Sequence, residues 1–178
     1  MKICAQQFEI SLFDTAEHQA LFELIDRNRE RLAVFFAGTV AKTGSLEDTR
    51  EYCHLIAQRI EEKSYFPYVI RNANDGKMIG FVDIKNIDWA IPKAEIGYFI
   101  DSRYEGRGIT SQAVAWVVDE VVALHKFKKI YCRISPQNES SIAIAIKNEF
   151  ELEGTLRREY KTLHNDIVDL HYFGKLFD

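Results

Sequence analysis

The sequence predicts an α+β single domain over residues 1–178 with a mixed sheet, and three observations carry that expectation. Apolar residues recur at helical spacing in the early part of the chain. The middle alternates in short runs punctuated by turn residues, as strands joined by hairpins do. A glycine loop then opens a stretch that reads as helix, strand, helix and strand. With 178 residues, 47% of them apolar, the chain can bury one sizeable core, and two domains would each fall below the usual size.

Phe8–Leu12 reads as a short opening strand. Asp14, Thr15, Ala16 and Glu17 offer a helix cap, and Ala20, Leu21, Leu24 and Ile25 follow at helical spacing. A second helix is expected over 29–36. A third follows Ser45, with Asp48 completing a capping box and Tyr52, Cys53, Ile56 and Ile60 supplying the buried face. Residues 65–71 and 77–87 form the strands of a hairpin turned by Asn72, Ala73, Asn74, Asp75 and Gly76. After a break around Pro92 comes a strand over 94–100, then a loop to Gly108 and a helix from Ile109 to about Leu124. Its inward positions are Ala113, Val114, Val117, Val118 and Val121. A strand over 129–135, a helix over 138–148 and a closing hairpin of 152–160 with 167–176 complete the reading. The last turn centres on His164, Asn165 and Asp166.

A formal net charge of -4 keeps the chain soluble and provides no global positive field for nucleic acid. Cys4, Cys53 and Cys132 are odd in number and widely spaced, so neither a disulfide framework nor a zinc cluster follows; reduced thiols are expected. The five histidines show no metal-ligand spacing, and no metal is expected. Gln6, Gln7 and Glu9 interrupt any N-terminal apolar run, which is unlike a signal peptide, and no stretch is long and apolar enough to span a bilayer. These features lead to the expectation of a cytoplasmic protein with no membrane partner.

The informative stretch is Arg103, Tyr104, Glu105, Gly106, Arg107, Gly108, Ile109 and Thr110. Two glycines allow a tight turn and a close backbone approach, and the helix that follows presents N–H groups with no internal partners. Arg103 and Arg107 add charge, and together these suit a pyrophosphate. The loop has neither the Lys-Ser/Thr ending of a triphosphate loop nor the dinucleotide-binding glycine pattern.

Arg103-x-x-Gly106-x-Gly108 resembles the Arg/Gln-x-x-Gly-x-Gly/Ala motif of the GNAT acetyltransferases. The run Ala94, Glu95, Ile96, Gly97, Tyr98, Phe99 and Ile100 resembles the strand leading into that motif. Asn138-Glu139-Ser140-Ser141 resembles the family's Asn-x-x-Ser helix start, and Phe150-Glu151-Leu152-Glu153-Gly154 its closing element. The similarity covers nearly the whole chain, including the segment from Glu47 to Arg50, and within the superfamily points to the ribosomal-protein N-terminal acetyltransferases of the RimJ/RimL type. In one departure, Glu149 stands where the family has glycine; Asn148 is expected to take the left-handed role there.

The resemblance implies a mostly antiparallel sheet of six or seven strands, splayed at its centre and flanked by helices. It implies acetyl-CoA as co-substrate. The coenzyme would be held by backbone groups of Ile96, Gly97, Tyr98, Phe99 and Ile100, by the loop residues Arg103, Glu105, Gly106, Arg107, Gly108, Ile109 and Thr110, and by Asn138 and Ser141. The acceptor amine would attack directly in a ternary complex. Glu95 is the first candidate for general base, with Glu61 and Glu62 as runners-up, and the competing reading of Glu95 is an ion-paired strand residue. Ser141 is the candidate donor to the leaving thiolate, and Tyr98 and Tyr131 are alternatives. The implied acceptor is a protein N-terminal α-amine, most plausibly of a ribosomal protein. A small amine such as a polyamine, an aminoglycoside or a metabolite stays open, as does a coenzyme-binding module without catalysis. The basic cluster Arg157, Arg158 and Lys161 reads as solvated surface, so no direct nucleic-acid contact is expected, and a homodimer through an exposed edge stays open.

Overall fold

Turns and returning excursions dictate the first half of the sheet. In this computed structural model, which describes residues 3–4 and 7–178, β1 (Ile3–Cys4) pairs antiparallel with β2 (Phe8–Leu12). The chain then leaves the sheet through α1 (His18–Arg27), α2 (Arg29–Phe35), α3 (Ala37–Ala41) and α4 (Leu46–Glu61). It returns as β3 (Phe66–Asn72), β4 (Met78–Asp88) and β5 (Lys93–Ile100), a meander in which every neighbouring pair is antiparallel. After α5 (Ile109–His125) come β6 (Lys129–Ile134), α6 (Glu139–Lys147), β7 (Glu151–Lys161) and β8 (Ile167–Leu176). The spatial order is β1-β2-β3-β4-β5-β6-β8-β7, and among the described residues only β5 and β6 run parallel. Seven strands from β2 onward match the expected sheet, and β1 adds a two-residue edge. Side chains at positions 1–6, Cys4 included, lie outside the described residues.

Alternation along β3 feeds two cores. Tyr68 and Ile70 join Val82, Ile84, Ile96 and Tyr98 beneath Ala113, Val114, Val117, Val118 and Val121 of α5. Val69 on the opposite face joins Phe81 and Phe99 beneath Leu21, Leu24, Ile25, Cys53 and Ile56 of α1 and α4. Both faces of the sheet are therefore covered, and each fully buried aliphatic side chain contributes roughly 1.5–3 kcal/mol.

Three local expectations change. The helix expected over 29–36 stops at Phe35, because Phe36 leaves helical geometry (φ -130°, ψ 43°) and packs edge-on against Phe99 at 5.3 Å. A further helix, α3, follows, with Val40 buried in the core it faces. At the start of α4, Ser45 Oγ accepts from the Asp48 N–H at 3.1 Å, but the Asp48 carboxylate takes the Ser45 hydroxyl at 2.7 Å, not its backbone N–H. Asn148 does not take the left-handed turn after α6. Its side chain is engaged with Ser111 Oγ at 3.1 Å and the Ile144 carbonyl at 2.8 Å, which holds it near helical geometry. Glu149 adopts φ 64° instead, steadied by Lys175 at 2.9 Å.

Candidate active site

Divergence of the two parallel strands creates the site. β5 and β6 pair from Lys93↔Lys129 to Glu95↔Tyr131, after which β5 follows β4 to Ile100 while β6 follows β8 to Ile134. The backbone of β5 beyond Glu95 thus leaves β6 on one edge. Ile96, Gly97 and Tyr98 line one side of the resulting cavity of about 280 Å³, and Cys132, Arg133 and Ile134 line the other. Phe36 and Thr39 from the α2–α3 corner and Tyr160 from β7 roof it. The roof is closed by the Ala37 N–H, which donates to the Tyr160 hydroxyl at 2.6 Å.

At the end of β5 the chain enters the glycine loop. Gly106 and Gly108 have φ of 71° and 73°, where a side chain is strained; a Cβ would meet nothing within 4 Å at Gly106 and the Gln112 side chain at 3.8 Å at Gly108. Gly108 is the N-cap of the 17-residue α5, which has no side-chain cap and no acid in its first turn. The first helical hydrogen bond comes from Gln112, so the N–H groups of Ile109, Thr110 and Ser111 have no partner within the helix. An uncapped helix N-terminus beside two positive-φ glycines has the chemistry of an anion site, and a pyrophosphate fits it.

The loop's side chains are more committed than the sequence suggests. Arg103 holds Asp101 with two hydrogen bonds, Nε to Oδ1 at 3.0 Å and Nη2 to Oδ2 at 2.6 Å, and Glu105 is paired with Arg31. Asp101, 1% exposed at the side chain, also accepts from Arg27. Burial pushes the Asp101 carboxyl up, but Arg103 and Arg27 outweigh it and hold its pKa at about 2. Arg31 additionally reaches the Ile100 carbonyl, and Asn28 accepts from the Ser102 N–H at 3.0 Å. Part of the backbone expected to meet the coenzyme amides is therefore already bonded to α2 and its cap. Arg107 lies exposed over the Tyr104 ring and keeps its charge at the loop surface.

Among the expected coenzyme and catalytic residues, Glu95, Ile96, Gly97, Tyr98, Asn138 and Ser141 come together at the cavity. Phe99 packs instead in the helical core, stacked on Phe81. Glu95 is 6% exposed, and its Oε2 accepts from Asn86 at 2.7 Å and from Arg133 Nη2 at 2.9 Å. It is both cavity-lining and ion-paired. Glu61 and Glu62 are exposed at the end of α4, outside the cavity. Asn138 caps α6 by accepting from the Ser141 N–H at 3.2 Å, which sets the serine at the cavity wall. Tyr98 donates its hydroxyl to the Ser141 carbonyl at 2.9 Å, and burial raises its pKa well above the usual tyrosine value. Its proton is thus committed to positioning α6. Tyr131 stacks on Tyr172 at 4.7 Å, away from the cavity lining. Burial, then Glu95, pushes the Cys132 thiol up to about 12, which keeps it protonated.

Sequence reading missed a second carboxylate. Asp83 of β4, 13% exposed, lines the cavity, accepts from Tyr65 at 2.7 Å and pairs with Lys85 at 3.2 Å. Burial opposes the charge of Lys85, yet Asp83 and then Glu95 outweigh it and raise its pKa. The legible signal was a charged pair, Asp83 and Lys85, that follows the uncharged run 78–82 in one strand. Gly97 faces Asp83 across the ladder, and a Cβ there would lie 2.5 Å from Asp83 Oδ1 and 2.7 Å from Lys85 Nζ. Among the described residues, no three His, Cys, Asp or Glu side chains are grouped to hold a metal ion, and no helix is long and apolar enough to cross a membrane.

Comparison with known proteins places this geometry. The family described as acetyltransferase (GNAT) domain matches residues 8–151. A probable N-acetyltransferase, YjcK, of Bacillus subtilis is 31% identical over 66% of this chain and 65% of its own length, so the match spans just under two thirds of that relative. A ribosomal-protein-serine acetyltransferase of Escherichia coli is 26% identical over 75% of this chain and 73% of its own. Among solved structures, the ribosomal-protein-S5-alanine acetyltransferase of Vibrio fischeri superposes with a TM-score of 0.90, covering 100% of this chain and 97% of that one at 21% identity. The last likeness is one of fold.

Proposed function

The chain belongs to the GNAT acetyltransferases, which are acetyl-CoA-dependent N-acetyltransferases, and on that premise we propose that it acetylates the N-terminal α-amine of a protein, a ribosomal protein foremost. Residues 1–178 would act as one catalytic domain. The observation that carries the reading is a roofed cavity, opened where β6 leaves β5 after Glu95, that holds Ser141 and two carboxylates, with the uncapped start of α5 following at the far end of β5.

Acetyl-CoA supplies the activated acetyl group as a thioester. The loop from Gly106 to Thr110 would hold its pyrophosphate through backbone N–H groups, with Arg107 adding charge. Backbone groups of Ile96, Gly97 and Tyr98 and the side chain of Asn138 would orient the pantetheine arm. Direct attack requires a neutral amine, and an α-amine with an unperturbed pKa of roughly 8 loses its proton more readily than a lysine. Glu95 and Asp83 are the cavity carboxylates able to accept that proton, directly or through one water. Ser141 would donate to the departing sulfur, with its place fixed by Asn138 and Tyr98.

Kinship with a ribosomal-protein-serine acetyltransferase supports the acceptor assignment and favours a small first residue such as serine, alanine or threonine. Incubation with acetyl-CoA and a lysate from cells lacking the activity, followed by mass-spectrometric mapping, tests it. Acetyl groups gained at protein N-termini are expected. Acetylation confined to free small amines would defeat the assignment and leave the family membership intact.

A further inference from the structure

The proposed chemistry uses Ser141 and the two cavity carboxylates and leaves the cavity's cations without a role. Six charged side chains line the cavity, Lys42, Arg59, Lys85 and Arg133 against Asp83 and Glu95. Lys85 is matched by Asp83, while Arg133 is matched by Glu95 at 2.9 Å and by Glu159 at 3.0 Å. Among the described residues, neither Lys42 nor Arg59 has a carboxylate within ion-pair distance. Each sits over an aromatic ring instead, with Arg59 Cζ 4.3 Å from the Tyr65 centroid and Lys42 Nζ 5.3 Å from that of Tyr52.

A guanidinium seated over a ring keeps N–H donors with which to receive an oxyanion. The ring also fixes where those donors are held, because the Tyr65 hydroxyl is pinned to Asp83 at 2.7 Å. Arg59 belongs to α4 and Lys42 caps α3, on the acceptor side, whereas Ser141 and Asn138 belong to the start of α6. Two uncompensated cations therefore share one cavity with the proposed transfer site.

Resting on the α-amine reading above, we infer that the acceptor carries an oxyanion close to its amine, in the form of an acidic side chain within the first few residues of a protein N-terminus. Its carboxylate is received by Arg59 and Lys42 while the amine faces Ser141. A polyamine brings charge of the same sign to those two cations, and in a partly desolvated cavity that repulsion selects against it.

The test uses the purified full chain, acetyl-CoA and three peptides that begin with serine and differ only in the second residue: aspartate, asparagine or lysine. Free aspartic acid and spermidine are the small-amine arms. The aspartate peptide should show kcat/KM at least about tenfold above the asparagine peptide, as expected for a charge-assisted contact, with the lysine peptide lowest. Arg59→Gln, and the double variant with Lys42→Gln, should collapse the aspartate-to-asparagine ratio toward one through KM, while titration shows coenzyme A still bound. Equal kcat/KM for the three peptides, or a ratio unchanged in the double variant, overturns the inference and leaves α-amine acetylation standing. Preference for free aspartic acid over every peptide overturns the peptide source. Bound coenzyme with no amine acetylated defeats the underlying reading and this inference with it.

Discussion

At Asp101 a single carboxylate ties the glycine loop to the helical layer. Its side chain is buried, and it is held by Arg103 at 2.6 Å and by Arg27 at 3.3 Å. Because its folded pKa, about 2, lies below the usual 3.8, the stabilisation is fully present above pH ~4 and is lost as pH falls through 2. A shift of this size corresponds to about 2 kcal/mol. Asp101→Asn should therefore unfold at lower urea concentration at pH 7, with the gap to wild type closing between pH ~4 and 2. Glu95 poses a kinetic question. If it takes the amine proton, Glu95→Gln should lower turnover on the order of 10²-fold, most at low pH, with coenzyme affinity retained. The same substitution removes charge opposite Arg133, so a pH–rate profile, not a single rate, is the deciding measurement. An unchanged profile would transfer the role to Asp83, with Asp83→Asn as the corresponding variant. Ser141→Ala should have the smaller effect, because a coenzyme thiolate leaves with little help.

At the scale of elements, legibility followed how local the determinants are. The hairpin of β3 and β4 and the buried stripe of α5 were readable because alternation and helical spacing are local signals. The corner at Phe36 was not, since it depends on a distant ring, Phe99, that closes against it. The tight turn at Gly106 and Gly108 and the uncapped start of α5 were readable from backbone needs alone. The partners that Asp101 and Glu105 find in the helical layer were not, because Arg27 of α1 and Arg31 of α2 each approach from 74 positions away. Asp83 escaped for a related reason, as its place in the cavity depends on Gly97 across the ladder. The loop reading makes a direct prediction. Gly108→Val should weaken coenzyme A binding at least about tenfold, since a β-branched residue resists the φ of 73° and intrudes where an anion would approach. Isothermal titration of folded variant protein is the check, and unchanged affinity would contradict the pyrophosphate assignment.

On the scale of the whole molecule, two halves of different character meet at one seam. The antiparallel meander and its helices build one wall of the cavity, and the part from β6 onward builds the other. The parallel contact of β5 with β6 breaks off after Glu95, so the seam opens where acetyl transfer would occur. Tyr160 of β7 joins the halves across it by accepting from the Ala37 N–H, while Arg31 and Asn28 brace the end of β5 and the loop after it through Ile100, Ser102 and Glu105. On the proposed function, this seam carries the acetyl group to a free α-amine. Thiol release from acetyl-CoA is the measurement, followed with a short serine-initiated peptide and with the same peptide blocked at its N-terminus. Release is predicted to require the free peptide and to match the amount of N-terminally acetylated product. Equal release with the blocked peptide, or none with any free α-amine while coenzyme A binds, would contradict it.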